Sequence, residues 1–239
     1  MKGQLVARED LSAEDVDRMY VLMHRHFDGM SPEGFERDLA QKDWVVLLPG
    51  REDQALHGFS TLRVFDTEID GDAATVVYSG DTIVDADLRG STLLARAWIG
   101  AVNQLREMLA ADPLYWLLLV SGFRTYRFLP VFWRKFYPRY GEATPRAVKL
   151  TMDRLATRLF GTQYTPDDGI VRFRQPQVLR DDLGAVPSNR IRDPHVRFFV
   201  ESNANHLEGD ELVCFTKLCR ENLTEAGKRM WNNGARALA

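Results

Sequence analysis

The sequence predicts an α+β protein in which one β-α-β crossover lies inside a mostly antiparallel sheet, followed by a C-terminal extension. Three observations support this fold class. Two long apolar segments, 56–65 and 75–84, flank Asp70-Gly71, a strong hairpin signal. Residues 93–109 then keep one apolar face at helical spacing over about four turns. The fully apolar segment 115–120 follows, as expected of a central strand that is buried on both faces.

Two helices and a short strand are predicted before the hairpin. Ser12 and Asp15 are three residues apart and form a near capping box for the first helix. Ser31-Pro32 marks the start of a second helix, because serine caps helices and proline suits the first helical position. An apolar strand is expected at 44–48. Two helices are therefore expected to precede the first predicted strand of the sheet.

Further elements are expected after the crossover. Residues 125–136, which are rich in aromatic side chains, and residues 146–160 are predicted to be helical. Residues 162–195 are rich in Pro, Gly, Asp and Arg and are expected to be mostly loop, although such a length without structure is uncommon in a compact domain. A last strand is expected at 211–218 and a last helix at 224–233.

Composition excludes several classes of protein. The 239 residues carry a net charge of -3, with 45% hydrophobic and 27% charged residues, which is typical of a folded domain. The near-balanced charge predicts no nucleic-acid partner, and no apolar run reaches the roughly 18 residues of a membrane span, so no membrane partner is predicted either. Cys214 and Cys219 cannot form a disulfide framework. The first residues lack an apolar signal-peptide segment, so the expected location is the cytoplasm.

The junction between the strand at 75–84 and the long helix is a candidate anion site. Free backbone N–H groups at a helix start favour phosphates. Arg89 adds positive charge, and Ser91 and Thr92 add hydroxyl donors. The alternative is structural: Ser91 would cap the helix, and Arg89 would be a solvated surface charge.

Asp81 is a candidate catalytic residue because it interrupts an otherwise apolar strand. An acid inside a sheet is costly unless it is paired or functional. Strict alternation places Ser79 and Ile83 on the face of Asp81, and Tyr78 on the opposite face. The alternative is a structural aspartate that caps a turn or pairs with an arginine.

No metal site is predicted. His24 and His26 end the first helix, but at this spacing they point to different faces, which is poor for one metal. The remaining histidines are scattered, without an HExxH motif. Cys214 is expected to be a buried, inert residue.

The order of elements resembles the GNAT superfamily of N-acyltransferases over roughly residues 5–150. In that superfamily, a loop of the form Arg/Gln-x-x-Gly-x-Gly/Ala before the long helix wraps the pyrophosphate of acyl-CoA, and Arg89-Gly90 resembles its start. Residues 115–120 resemble the strand that splays to admit the pantetheine arm. Phe136-Tyr137-Pro138 is similar to the end of the helix that follows.

The resemblance implies a donor, an acceptor and a set of site residues. The donor would be acyl-CoA (acetyl-CoA) or an acyl carrier protein, and the acceptor an amine of a small molecule. Asp81 would accept the proton of the amine, and Tyr126 would act as acid toward the thiolate, although packing in the core is the alternative for Tyr126. The residues implied to bind the donor are Ile83, Val84, Arg89, Gly90, Ser91, Thr92 and Ser121, and those implied to bind the acceptor are His26, Tyr78 and Ser79.

One departure from the superfamily keeps a second function open. Thr92 and Leu94 stand where the superfamily has small residues, and a Cβ obstructs close approach of backbone to phosphate. The alternative is therefore a non-catalytic GNAT-like binding protein. The expected division is an acyltransferase core at 1–150 and an extension at 151–239, which would complete the site or form an interface such as a homodimer contact.

Overall fold

The computed structural model describes residues 3–50, 56–85, 88, 92–180 and 184–238, with backbone alone for 232–238. The helices are α1 (Ala13–His26), α2 (Pro32–Leu39), α3 (Leu93–Met108), α4 (Phe123–Phe132), α5 (Arg146–Phe160), α6 (Pro194–Ser202) and α7 (Glu225–Leu238). The strands are β1 (Gln4–Ala7), β2 (Phe27–Asp28), β3 (Trp44–Pro49), β4 (Leu56–Ile69), β5 (Asp72–Val84), β6 (Leu114–Val120), β7 (Tyr164–Thr165), β8 (Ile170–Val171), β9 (Val178–Leu179) and β10 (Glu211–Lys217).

Local signals in the sequence explain where the first elements begin and turn. The Ser12 hydroxyl accepts from the Asp15 backbone N–H at the start of α1, and the Asp15 carboxylate accepts from the Ser12 N–H, which completes the capping box. Ser31 accepts from Gly34 N–H at the start of α2. Asp70 and Gly71 both have positive φ, 56° and 90°, as the tight hairpin turn between β4 and β5 requires.

Eight of the strands form one sheet in the order β1-β3-β4-β5-β6-β10-β8-β7. All of its neighbouring strands are antiparallel except β5 and β6, which are parallel and joined through α3. The predicted α+β class, a mostly antiparallel sheet flanked by helices with one crossover, is confirmed. Strands β2 and β9 form a separate antiparallel pair.

Helices cover both faces of the sheet. On one face, α3, α4, α6 and α7 enclose a core in which the rings of Trp98 and Trp116 lie 4.1 Å apart. On the other face, α1 and α2 pack against β3, β4 and the end of β5, with Phe35 and Phe59 fully buried. α5 packs beside them against β6 and β10. Both faces of β6 are therefore covered, as its apolar sequence predicted.

The structure contains elements that the sequence patterns did not predict. The expected loop at 162–195 holds the short strands β7, β8 and β9, and α6 begins at its end. β1 is likewise an additional edge strand. β10 lies between β6 and β8, so residues after 150 continue the central sheet. The predicted roles of residues 1–150 as an acyltransferase core and of residues 151–239 as an extension stay a prediction. Within the described residues, no helix is long and apolar enough to cross a membrane.

Candidate functional site

The parallel strands β5 and β6 separate before they end. Their pairing runs from Thr75 opposite Leu114 to Ser79 opposite Leu118 and then stops. Beyond this point β5 stays paired with β4 as far as Val84, and β6 stays paired with β10 as far as Val120. Since each strand follows its other neighbour, the sheet opens between them, and a cavity of about 610 Å³ lies at the opening.

The cavity reaches both faces of the sheet through this opening. Trp98 and Phe128 line it from the α3 and α4 side. Asp38 of α2 and Phe173 line it from the opposite side. One ligand can therefore enter from each face and meet the other between the two strands.

A β-bulge in β5 lies where the strands part. Ser60 pairs with Thr82, whereas Leu62 pairs with Ser79, so Gly80 and Asp81 together oppose one residue of β4. The bulge corrects the strict alternation predicted for β5. Ser79 points to the Trp116 side and Ile83 to the α1 side, and Asp81 shares the face of Tyr78 rather than that of Ser79.

Three carboxyl groups line the cavity near this point, those of Asp38, Asp81 and Glu211, and their charges affect one another. Burial, with the Asp38 charge as a second cause, raises the pKa of Asp81 to about 7. Burial, together with the charges of Asp81 and Asp38, raises the pKa of Glu211 to about 8. The Oδ2 atom of Asp81 is buried and has no hydrogen-bond partner among the described residues. A carboxyl group with these properties is suited to accept a proton near neutral pH.

Lys42 balances one of these charges. Its side chain is buried, with the residue 3% exposed, and its ammonium pairs with the Asp38 carboxylate and donates to the Asp38 carbonyl. The same ammonium lies 5.8 Å from the centre of the Tyr78 ring and lowers the pKa of Asp81, which limits the rise caused by burial. Burial is also the largest cause of the strongly raised pKa of Tyr78.

Hydroxyl groups along the opening are held in fixed positions. Ser79 accepts a hydrogen bond from the Trp116 indole N–H at 2.9 Å, in a buried position. The Ser60 and Thr82 hydroxyls lie 2.8 Å apart across β4 and β5. These contacts fix the strand ends on either side of the bulge, so the Asp81 carboxyl is presented from a rigid element.

Most of the residues predicted for the site line one cavity, although only the structure could show that they meet. They are Tyr78, Ser79, Asp81, Ile83, Val84, Thr92 and Ser121. Thr92 caps α3 without a side-chain bond to the helix, and Leu94, two residues further on, also lines the cavity. The predicted donor-loop residues Arg89, Gly90 and Ser91 lie outside the described residues.

Tyr126 does not belong to the cavity wall, which corrects the expected acid role. It is 0% exposed and packs against Phe136, Phe198 and Phe199. Its hydroxyl donates to the Pro138 carbonyl at 3.0 Å, and burial raises its pKa. A buried hydroxyl with this partner does not reach a substrate in the cavity.

His26 is also absent from the cavity wall, although its neighbours Met23 and Phe27 are part of it. The ring is buried, and Nε2 lies 3.5 Å from Oδ1 of Asp85. The predicted contact between His26 and the acceptor is therefore replaced by a contact with Asp85 at the end of β5.

Sequence reasoning missed several residues of the acidic side of the cavity. Asp38 and Lys42 are four residues apart and match no recognisable sequence motif. Glu211 is 130 residues away from Asp81 in the sequence. Phe173, Gln175 and Gln177 come from the segment expected to be loop. No grouping of three or more metal-ligating side chains occurs among the described residues.

Comparisons with known proteins concern the fold. No protein-family model and no curated protein matches the sequence. A probable N-acyltransferase from Enterococcus faecalis aligns with a TM-score of 0.42 and 15% identity, over 57% of this chain and 33% of that one. The chain thus spans a third of that protein's length. The Escherichia coli GNAT-family N-acetyltransferase YhbS, solved in complex with CoA, aligns with a TM-score of 0.39 and 16% identity. The alignment covers 54% of this chain and 68% of that one. Saccharomyces cerevisiae N-myristoyltransferase with bound myristoyl-CoA aligns with a TM-score of 0.39 and 15% identity. The alignment covers 50% of this chain and 31% of that one.

These partial alignments report a likeness to GNAT-family structures. The chain's own topology has the features that the sequence resemblance implied: a long hairpin, a crossover through α3 to a parallel strand, and an opening between the two parallel strands. A fold of this kind can carry many activities, so the function has to be argued from the cavity.

Proposed function

We propose that this protein is an N-acyltransferase that moves an acyl group from acyl-CoA to the amine of a small molecule. One observation carries the proposal: the opening between β5 and β6 holds a buried carboxyl, Asp81, at the point where the strands part. A thioester entering from one face and an amine entering from the other would meet at this carboxyl.

The donor side is the face of α3 and α4. There the cavity is lined by apolar side chains such as Trp98 and Phe128, which suit an acyl chain and a pantetheine arm. The start of α3, at Thr92, borders the same space, and helix N-termini favour phosphate groups. Ile83, Val84 and Ser121 complete this side of the wall.

The chemical step needs little more than positioning and a base. The amine nitrogen attacks the thioester carbonyl carbon, a C–N bond forms, and the C–S bond breaks. The nitrogen gives up a proton to the Asp81 carboxylate, and the sulfur leaves as a thiolate that takes a proton from water. The bulge at Gly80 and Asp81 interrupts the ladder beside the reacting groups, where a backbone N–H can stabilise the developing oxyanion.

Binding and turnover test the proposal in sequence. Acetyl-CoA and a longer acyl-CoA are expected to raise the melting temperature at concentrations well above their Kd. With a panel of amines, kcat/KM is expected to rise with pH through about 7, because the raised pKa of Asp81 keeps the base protonated below that value.

Asp81→Asn should lower kcat by about 10²–10⁴-fold and remove this pH dependence, because the amide cannot accept the proton. Asp17→Asn, an exposed position on α1, is the matched control and should behave as wild type. Full activity of Asp81→Asn across the pH range would overturn the assignment of the base.

The non-catalytic alternative rests on Thr92 and Leu94, whose side chains line the donor side of the cavity. If no acyl-CoA shifts the melting temperature, these side chains close the site to CoA. An acyl carrier protein as donor, or a binding protein without transfer, would then replace the proposal. With Thr92 and Leu94 in place, the cavity still has a volume of about 610 Å³, which leaves room for a ligand and supports the proposed acyl transfer.

A further inference from the structure

Three carboxyl groups line the acidic side of the cavity, and a buried lysine pairs with one of them. Asp38 pairs with Lys42, and this pair is internally neutral. Asp81 and Glu211 both line the cavity, and neither forms an ion pair among the described residues. Burial is the largest cause of the raised pKa of Glu211, and the charge of Asp81 raises it further. The other cationic lining residue, Arg124, is exposed, and its guanidinium lies 4.6 Å from the centre of the Phe123 ring.

Two further observations indicate that a ligand binds at Asp81 and Glu211. The Oδ2 atom of Asp81 is buried and without a hydrogen-bond partner among the described residues, which is costly unless something binds it. Glu211 is held at the start of β10 by pairing with Val171 of β8, so its carboxyl is fixed at the cavity wall beside the acids of β5 and α2. The wall is thus built around two carboxyl groups.

We propose that the amine acceptor is a dication: a small aliphatic diamine or polyamine without a carboxylate or phosphate, with one nitrogen at Asp81 and a second cationic nitrogen at Glu211. This inference rests on the proposed acyl transfer and names its substrate class. The same two carboxyl groups exclude amino acids and sugar phosphates, because like charges brought together in a cavity cost binding energy. Gln175 and Gln177 border the same space and offer further hydrogen bonds to the chain of the amine.

Calorimetry with three probes of equal chain length tests the proposal on the full chain. The probes are 1,4-diaminobutane, 1-aminobutane and 4-aminobutanoate, titrated at constant ionic strength. The diamine is expected to bind at least about tenfold more tightly than the monoamine, and the amino acid more weakly still. Equal affinity of the diamine and the monoamine, or no binding of the diamine, overturns the proposal without any variant.

Glu211→Gln identifies the second contact. It should remove most of the preference for diamine over monoamine while leaving monoamine affinity nearly unchanged. Glu208→Gln removes the same charge at an exposed position outside the cavity and should keep the preference. An unchanged preference in Glu211→Gln overturns the role of this residue.

The outcomes separate the two proposals. If acyl-CoA binds and monoamines are acylated as well as diamines, acyl transfer stands and the substrate class is wrong. If the diamine binds with the expected preference but no acyl-CoA binds or reacts, the cation site stands and acyl transfer is wrong.

Discussion

Gly80 brings the β5 backbone into close contact with the buried side chain of Lys42. A Cβ there would lie 2.6 Å from Cε of Lys42 and 2.9 Å from the Thr61 hydroxyl. Both neighbours are buried, and Lys42 pairs with Asp38, so a Cβ at this position would have to displace a paired side chain. Glycine is therefore favoured at this position because a side chain would clash with Lys42 and Thr61, and not because the backbone has a positive φ.

Gly80→Ala should lower the free energy of unfolding by about 1–3 kcal/mol, because the methyl group overpacks the contact with Lys42. Urea unfolding followed by circular dichroism gives this value. Gly122→Ala is the control, since a Cβ there meets Leu179 at an ordinary 3.5 Å. Equal effects of the two variants would show that the contact with Lys42 is not the cause.

Single residues differed in how far the sequence could place them. Asp81 was identifiable because an acid in an apolar strand is unusual, and the structure places it in the cavity. Tyr126 was not, because a residue type and a position after a strand do not determine where a side chain points. Glu211 carries no local signal, since its neighbours in the site come from distant segments that only the sheet brings together.

At the scale of elements, α1 shows how a short motif stabilises a wall of the site. Ser12→Ala removes the hydroxyl that accepts from Asp15 N–H, and this should cost about 1 kcal/mol of unfolding free energy. Ser12→Asn keeps a capping oxygen and should retain nearly all of the stability. Thermal or urea unfolding of the three proteins is the measurement. If the alanine and asparagine variants lose equal stability, the cap is not the cause.

Long elements followed their sequence patterns, and short ones did not. α3, β5 and β6 each carry enough residues for a period or a continuous apolar run to be recognised. Strands of two residues, such as β7 and β8, carry no period, and only their pairing defines them: β8 pairs with β10, and β7 pairs with β8. The bulge in β5 is a property of its pairing with β4, so strict alternation assigned Asp81 to the wrong face.

At the scale of the whole molecule, the resemblance over residues 5–150 predicted the opening in the sheet but only part of its wall. β10 borders β6 on the side away from β5, and it brings Glu211 to the cavity. Phe173 and the residues after it add further wall from the same C-terminal region. We infer that the extension acts in acceptor recognition, and the diamine titrations test this through Glu211.

The buried acids also predict how the stability of the whole molecule changes with pH. Asp81 and Glu211 have pKa values of about 7 and about 8 in the fold, above their ordinary values of 3.8 and 4.5. Between these values the folded protein binds more protons than the unfolded chain. The contribution of both groups is therefore fully present below about pH 4 and is lost as pH rises through 7 to 8.

Asp81→Asn should consequently be more stable than wild type at pH 8.5, by about 1–3 kcal/mol, and nearly equal to it at pH 4.5. The asparagine has a similar shape and no charge to bury, so the difference between the two proteins should grow with pH. Urea unfolding at several pH values measures this difference, and Asp17→Asn should run parallel to wild type. A constant difference between Asp81→Asn and wild type would mean that Asp81 is not buried as a charge. A difference that grows as expected would show that this carboxyl is kept at a cost to stability, which is typical of a residue retained for chemistry.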